Sequence, residues 1–173
     1  QSNYATLIGL VSQYSPSGCE QHAVDWLVNP MQKSGFTKSF VDAAGNAVGI
    51  MGSGEKQVML LGHIDTVPGE IDMDQNGKIL PGRGTVDAKG PLACFVDAVA
   101  RIGCIDGWQI GGIGAVEEER NSEGARFVVQ EYTPDYAIIG EPNGWNRVAL
   151  GHKGRNIGQK QSDALCQREE DCC

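Results

Sequence analysis

Residues 57–65 read "QVMLLGHID", a continuous apolar run that ends in two polar side chains, His63 and Asp65. An unbroken apolar run of this length predicts a strand covered on both faces. His63 and Asp65 stand two apart, so on a strand they face the same side. One can then ligate a metal while the other orients it. A lone histidine at a strand end is more often structural, so the reading depends on what surrounds it.

Outward from this strand the pattern alternates. Residues 3–13 predict a short amphipathic helix, which "SPSG" (15–18) ends. Residues 19–36 predict a second helix ending at Gly35, with a kink or break at Pro30. "SFVD" and "AVGIM" flank "AGN", the chemistry of a hairpin turn. "KGPLACFVDAVARI" (89–102) predicts a helix with Pro91 in its first turn. "WQIGGIGAVEEE" (108–119) is a second buried strand with a polar tip, "SEGARFVVQEY" a helix, and "DYAIIGEP" a third tipped strand. Strands alternating with helices predict a layered α/β domain with a mainly parallel sheet.

The tips share one chemistry: His63 and Asp65, then Glu117 to Glu119, then Glu141. Ligands of open α/β sheets bind beyond the carboxyl ends of the strands. Carboxylates gathered there repel one another unless a cation neutralises them, so a metal is the economical explanation. "GRGTVDAKGP" (82–91) adds Asp87 at a helix entry. It lacks the spacing and ending of a nucleotide-phosphate loop. Asp87 is then either a helix cap or a carboxylate bridging two ions. The three consecutive glutamates are either a solvated face or a divided pair, one on the metal and one moving a proton.

Composition excludes other classes. The 173 residues allow one domain with a sizeable core, and the net charge of -8 offers no basic cluster for nucleic acid or a membrane surface. The apolar stretches are strand-sized, so no transmembrane span is expected, and no signal peptide is readable. The six cysteines lack metal-finger spacing and are expected to be reduced, as in a cytoplasmic protein. His22 is expected at the surface, His152 in a structural part, and Trp26, Trp108 and Trp145 in packing.

"GHIDTVPG", "GRGTVDAKGPLA", "VEEERNSEGAR" and "GEPNGWNRVALGHKGR" together resemble the M20 family of zinc-dependent peptidases and deacylases, over residues 4 to about 155. They are most similar to its branch that hydrolyses acylated lysine or ornithine in lysine and arginine biosynthesis. The resemblance implies a three-layer zinc-peptidase-like domain with a mainly parallel mixed sheet. It implies two Zn²⁺ ions, or Co²⁺ in their place, and a substrate that is a small acyl-amino acid or an amino-group carrier protein. Carried over by motif, His63 and Glu141 are ligands of the first metal, Asp65 orients His63, and Asp87 bridges both ions. Gly124 follows Glu119 by five places, as in the family pattern, which makes Glu118 the general base and Glu119 a ligand of the second metal. The Asp87–Ala88 peptide is expected to be cis. The rival readings are an M20 dipeptidase or carboxypeptidase, and a catalytically inactive metal-binding fragment.

The pattern also departs from the family. Residues 1–155 correspond to the N-terminal part of the catalytic domain, while 156–173 have no strand alternation and hold half of the cysteines. A frameshifted or misjoined reading frame is the preferred expectation for this tail, and a natural start upstream of Gln1 is expected. The family's dimerisation domain and the returning catalytic part, with its last histidine ligand, are not matched, so the domain is expected to be truncated. Full-length members are expected to be homodimers. One metal is therefore expected to bind better than two, the chain to be weak or inactive as an enzyme, and a sheet edge to stand uncovered.

Overall fold

The computed structural model describes residues 4–74, 79–143 and 148–149. The fold lies in one compact unit, Gln1–Pro142. Trp145, His152 and the tail 156–173 fall outside the described residues.

Two helices come first, α1 (Ala5–Val11) and α2 (Gln21–Lys33). A hairpin follows, β1 (Lys38–Val41) and β2 (Ala47–Gly52), then β3 (Lys56–His63), α3 (Lys89–Ile102), β4 (Trp108–Ala115), α4 (Glu123–Glu131) and β5 (Tyr136–Ile139). The expected break at Pro30 does not occur. Pro30 lies in the last turn of α2, which runs on to Lys33 and closes through Ser34 N–H donating to the Pro30 carbonyl at 2.9 Å. The proline lacks the N–H that would bond four residues back, yet the helix stays continuous through it.

The sheet order is β1-β2-β4-β3-β5. β3 pairs in parallel with β4 on one side and with β5 on the other, whereas β2 pairs antiparallel with both β1 and β4. The sheet is therefore mixed, with its parallel part made of the three strands that carry polar tips. Because those strands run the same way, His63, the Glu117–Glu119 run and Glu141 all emerge at one edge.

Helices cover both faces, giving three layers. Leu10, Leu27, Met31, Leu92 and Val96 from α1, α2 and α3 pack with Leu60 and Val116 on one face. On the other, Val128 of α4 packs against Val48, Ile50, Met59 and Ile113. Side chains alternate along each strand, so His63 shares the α4 face with Met59. β5 closes one edge among the described residues, and its Tyr136, Ile138 and Ile139 are exposed.

The hairpin turn is organised by Asp42, whose Oδ1 accepts the amides of Ala44 and Asn46, each at 2.9 Å, with Gly45 at φ 90°. Buried Asn46 then ties distant parts together. Its Nδ2 donates to the Gly124 carbonyl at 3.1 Å and its Oδ1 accepts Val116 N–H at 3.0 Å. A Cβ on Gly124 would lie 2.2 Å from Asn46 Oδ1 and 2.6 Å from the Val116 nitrogen. Both obstacles are fixed, one by hydrogen bonds and one by backbone. Gly124→Ala is therefore expected to destabilise the fold by about 2–3 kcal/mol, read as a lowered urea midpoint with an unchanged slope. An unshifted midpoint would show that α4 can move away from β4 at little cost.

Candidate metal centre

β3 delivers His63 to the sheet edge with 2% of its side chain exposed. Its Nδ1 lies 3.0 Å from the Asp65 carbonyl oxygen and 3.3 Å from Asp65 Oδ1. With that nitrogen directed at Asp65, Nε2 faces outward. There it meets Asp87 Oδ1 at 3.2 Å, Glu118 Oε2 at 3.9 Å and Glu141 Oε1 at 3.9 Å. Glu119 joins the same cluster, so two overlapping sets can hold a cation: His63 with Asp87 and Glu141, and His63 with Glu118 and Glu119. Within each set the ligand atoms all lie within 4.8 Å of one another. A cleft of about 200 Å³ opens here, lined by His63, Glu118, Glu141, Ser122, Ala125 and Ile139 among others.

Asp87 does not cap α3. Ala88 occupies the cap position and no side chain bonds there, while the Asp87 carboxylate turns to His63. The Asp87–Ala88 peptide is cis, as expected. The glutamate run is not a plain solvated face. Glu117 takes a left-handed backbone, φ 57°, and its carbonyl accepts the amides of Arg120, Asn121 and Ser122. This reversal turns the chain straight after β4 and sends Glu118 and Glu119 toward His63.

Electrostatics record the crowding. Burial pushes the carboxyl groups of Glu119 and Glu141 up, His63 partly offsets this, and the neighbouring carboxylates push further upward. Burial would raise Asp65 too, but the His63 and Ser17 hydrogen bonds and the Glu119 amide hold it below its ordinary value. For His63 burial acts downward, yet the Asp65 hydrogen bond and the charges of Asp65, Glu141 and Glu118 carry it up to about 9. Imidazole and carboxylates of this kind suit Zn²⁺ or a similar first-row cation, which would relieve the repulsion. The residues present therefore fit a metal.

Several supporting residues escaped the sequence reading. Ser17 Oγ donates to Asp65 Oδ2 at 2.6 Å. Glu20 Oε1 accepts Glu117 N–H at 3.0 Å. Asp65 accepts Glu118 N–H on Oδ1 and Glu119 N–H on Oδ2, each at 3.0 Å. Lys89, 1% exposed, donates to the Gln13 carbonyl, and burial lowers its ammonium to about 8 against the pull of Asp65. The signal for Ser17 and Glu20 lay in 15–20, where "SPSG" (15–18) read only as a helix break and Glu20 only as part of the second helix.

A parallel-strand edge bearing an imidazole among carboxylates defines an α/β protein of the metallopeptidase type, with residues placed to hold a cation. The pattern of peptidase family M20/M25/M40 matches residues 59–158, and the chain belongs to that family. It is 46% identical over 154 residues to a LysW-lysine hydrolase of Deinococcus radiodurans, covering 86% of this chain and 42% of that protein. It is 32% identical over 149 residues to a LysW-lysine/LysW-ornithine hydrolase of Sulfurisphaera tokodaii, covering 86% and 41%. The chain thus spans well under half the length of these relatives. Human carnosine dipeptidase 1 shares the fold with a TM-score of 0.64 at 20% identity, over 81% of this chain and 38% of that one. No helix among the described residues is long and apolar enough to cross a membrane.

Proposed function

We propose that this chain carries the metal-holding and proton-transferring part of an amide hydrolase that frees lysine or ornithine from an N-acyl group in lysine or arginine biosynthesis. The observation that carries the reading is the convergence of His63 Nε2 with the carboxylates of Glu118 and Glu141, beyond the ends of parallel strands, and of Asp87, at the entry to α3. Similarity to hydrolases named for lysine and ornithine on a carrier supports the substrate class and an amino-group carrier protein as partner. Residues 1–155 are read as the N-terminal part of the catalytic domain, with 156–173 a distinct tail. A cytoplasmic setting goes with this biosynthetic role.

His63, Asp87 and Glu141 would hold one ion, and Asp87 with Glu119 a second. When bound, Zn²⁺ or Co²⁺ supplies Lewis acidity at the substrate carbonyl and lowers the pKa of a water. Asp65 fixes the imidazole so that Nε2 stays directed at the site. Glu118 accepts the proton of the attacking water and returns it to the departing nitrogen, which leaves poorly until protonated.

Zn²⁺ titration of the chain is expected to give one tight step, lost in His63→Ala, and a weaker second. Two equally tight steps would contradict the division of ligands, and no binding would sink the metal reading. Turnover of N-acetyl-lysine, N-acetyl-ornithine and carrier-linked lysine by a full-length version of the protein is then compared with that of dipeptides. Chelator-sensitive release of lysine or ornithine, at least about tenfold more efficient than dipeptide cleavage, is the expected result. Faster dipeptide cleavage would overturn the substrate class.

A further inference from the structure

The three amides at the tip of β4 are each captured by a buried carboxylate. Glu20 takes Glu117 N–H, and Asp65 takes those of Glu118 and Glu119. Successive N–H groups turned to one side form a concavity that attracts anions. Here two of the chain's own carboxylates fill it. Asp65 is fully buried and Glu20 is 6% exposed. Burying two like charges side by side is costly unless donors compensate them, and the amides of the tip are those donors. Glu20 reaches across 97 residues of sequence to do this. Asp65 serves both the imidazole and the glutamate tip, whereas Glu20 bonds the tip through Glu117 N–H. Its neighbours on the same segment lock the other strand: Ser15 Oγ donates to the Ile64 carbonyl at 2.8 Å, and Ser17 Oγ to Asp65. "SPSGCE" is thus a buckle joining the ends of β3 and β4.

We propose that Glu20 is a positioning residue for the metal site: by holding the Glu117 amide beside the two that Asp65 holds, it sets the direction in which the Glu118 and Glu119 carboxylates leave the strand. The proposal rests on the metal-hydrolase reading above. What Glu20 contributes is an acceptor oxygen at a fixed place, so its charge is dispensable. A carboxamide should therefore replace it, whereas a methyl group should not.

Co²⁺ titration of the full chain, followed by visible absorption, tests this. The step assigned to Glu119 is the one lost in Glu119→Gln. Glu20→Ala is expected to weaken that step by about 10–100-fold and to alter its absorption bands, leaving the His63-Asp87-Glu141 step within about threefold. Glu20→Gln should restore both affinity and spectrum. A merely structural Glu20 would lower the melting temperature without moving the Co²⁺ bands. Unchanged affinity and spectrum in folded Glu20→Ala overturns the proposal, as does a Glu20→Gln that behaves like Glu20→Ala. Should Glu20→Ala fail to fold, Glu20→Asp, one methylene short of the Glu117 amide, takes its place. It must bind more weakly than Glu20→Gln, and wild-type binding by Glu20→Asp overturns the idea. A wild type that binds Co²⁺ without any Glu119-dependent step overturns it alone, whereas a wild type that binds no Co²⁺ sinks the metal reading itself.

Discussion

Glu118→Gln is expected to lower amide hydrolysis by about 10²–10⁴-fold while leaving metal affinity within about threefold. The carboxamide fills the same volume but cannot accept and return a proton. Glu118 lines the cleft with its side chain 42% exposed, and Oε2 is 3.9 Å from His63 Nε2. That places its carboxylate beside the imidazole at the cleft, exposed enough for a water or substrate to reach it. Its amide is pinned to Asp65, so the substitution should leave the backbone in place. Glu119→Gln gives the contrasting result, since burial and neighbouring carboxylates make Glu119 a group that gains from a cation. Its loss should appear first in metal stoichiometry. The decisive comparison sets kcat beside bound metal for both variants. If Glu118→Gln loses metal in proportion to activity, Glu118 is a ligand and the assignment of proton transfer fails. If it keeps turnover, another base serves.

Much of this site was legible because strand tips announce themselves. An apolar run that ends in His63, or in Glu117 to Glu119, breaks the pattern a buried strand requires, and the break marks where backbone leaves the core. Helix α3 was legible to the residue, because Gly-rich sequence precedes it and Gly103 follows it. Strand order was not. Nothing local indicates that β2 pairs with β4 instead of with its neighbour β3, since pairing partners are chosen by packing across the sheet. The same limit hid Glu20 and Ser17. Their partners lie 97 and 48 residues away, and no periodicity encodes a single long-range hydrogen bond. Gly124 was legible by its spacing from Glu119, but the reason for it, close approach to Asn46 and Val116, is purely tertiary.

Metal uptake and metal-free stability should both depend on pH through His63, in opposite directions. Burial alone would push the imidazole down, but the hydrogen bond that it donates to Asp65 and the charges of Asp65, Glu141 and Glu118 bring it up to about 9 from 6.5. A folded-state pKa above the unfolded one means that the native chain holds a proton the unfolded chain has released. The resulting stabilisation is complete below about pH 6.5 and is lost as pH rises toward 9, on the order of 3 kcal/mol in all. Lys89 opposes the upper part of this window. Its ammonium is lowered by burial to about 8 from 10.5, so stability gained through Lys89 rises with pH above about 8. The clean signature is therefore a fall in metal-free stability between pH 6.5 and 8, which His63→Ala should abolish. Metal must displace the same proton, because a cation and a proton compete for Nε2. Affinity should accordingly increase about tenfold per pH unit over that range, with close to one proton released per ion. Calorimetric titration in two buffers of different ionisation enthalpy measures that proton directly. A flat stability profile together with no proton release would mean that His63 is already neutral in the metal-free chain, and that the carboxylates around it are already ionised.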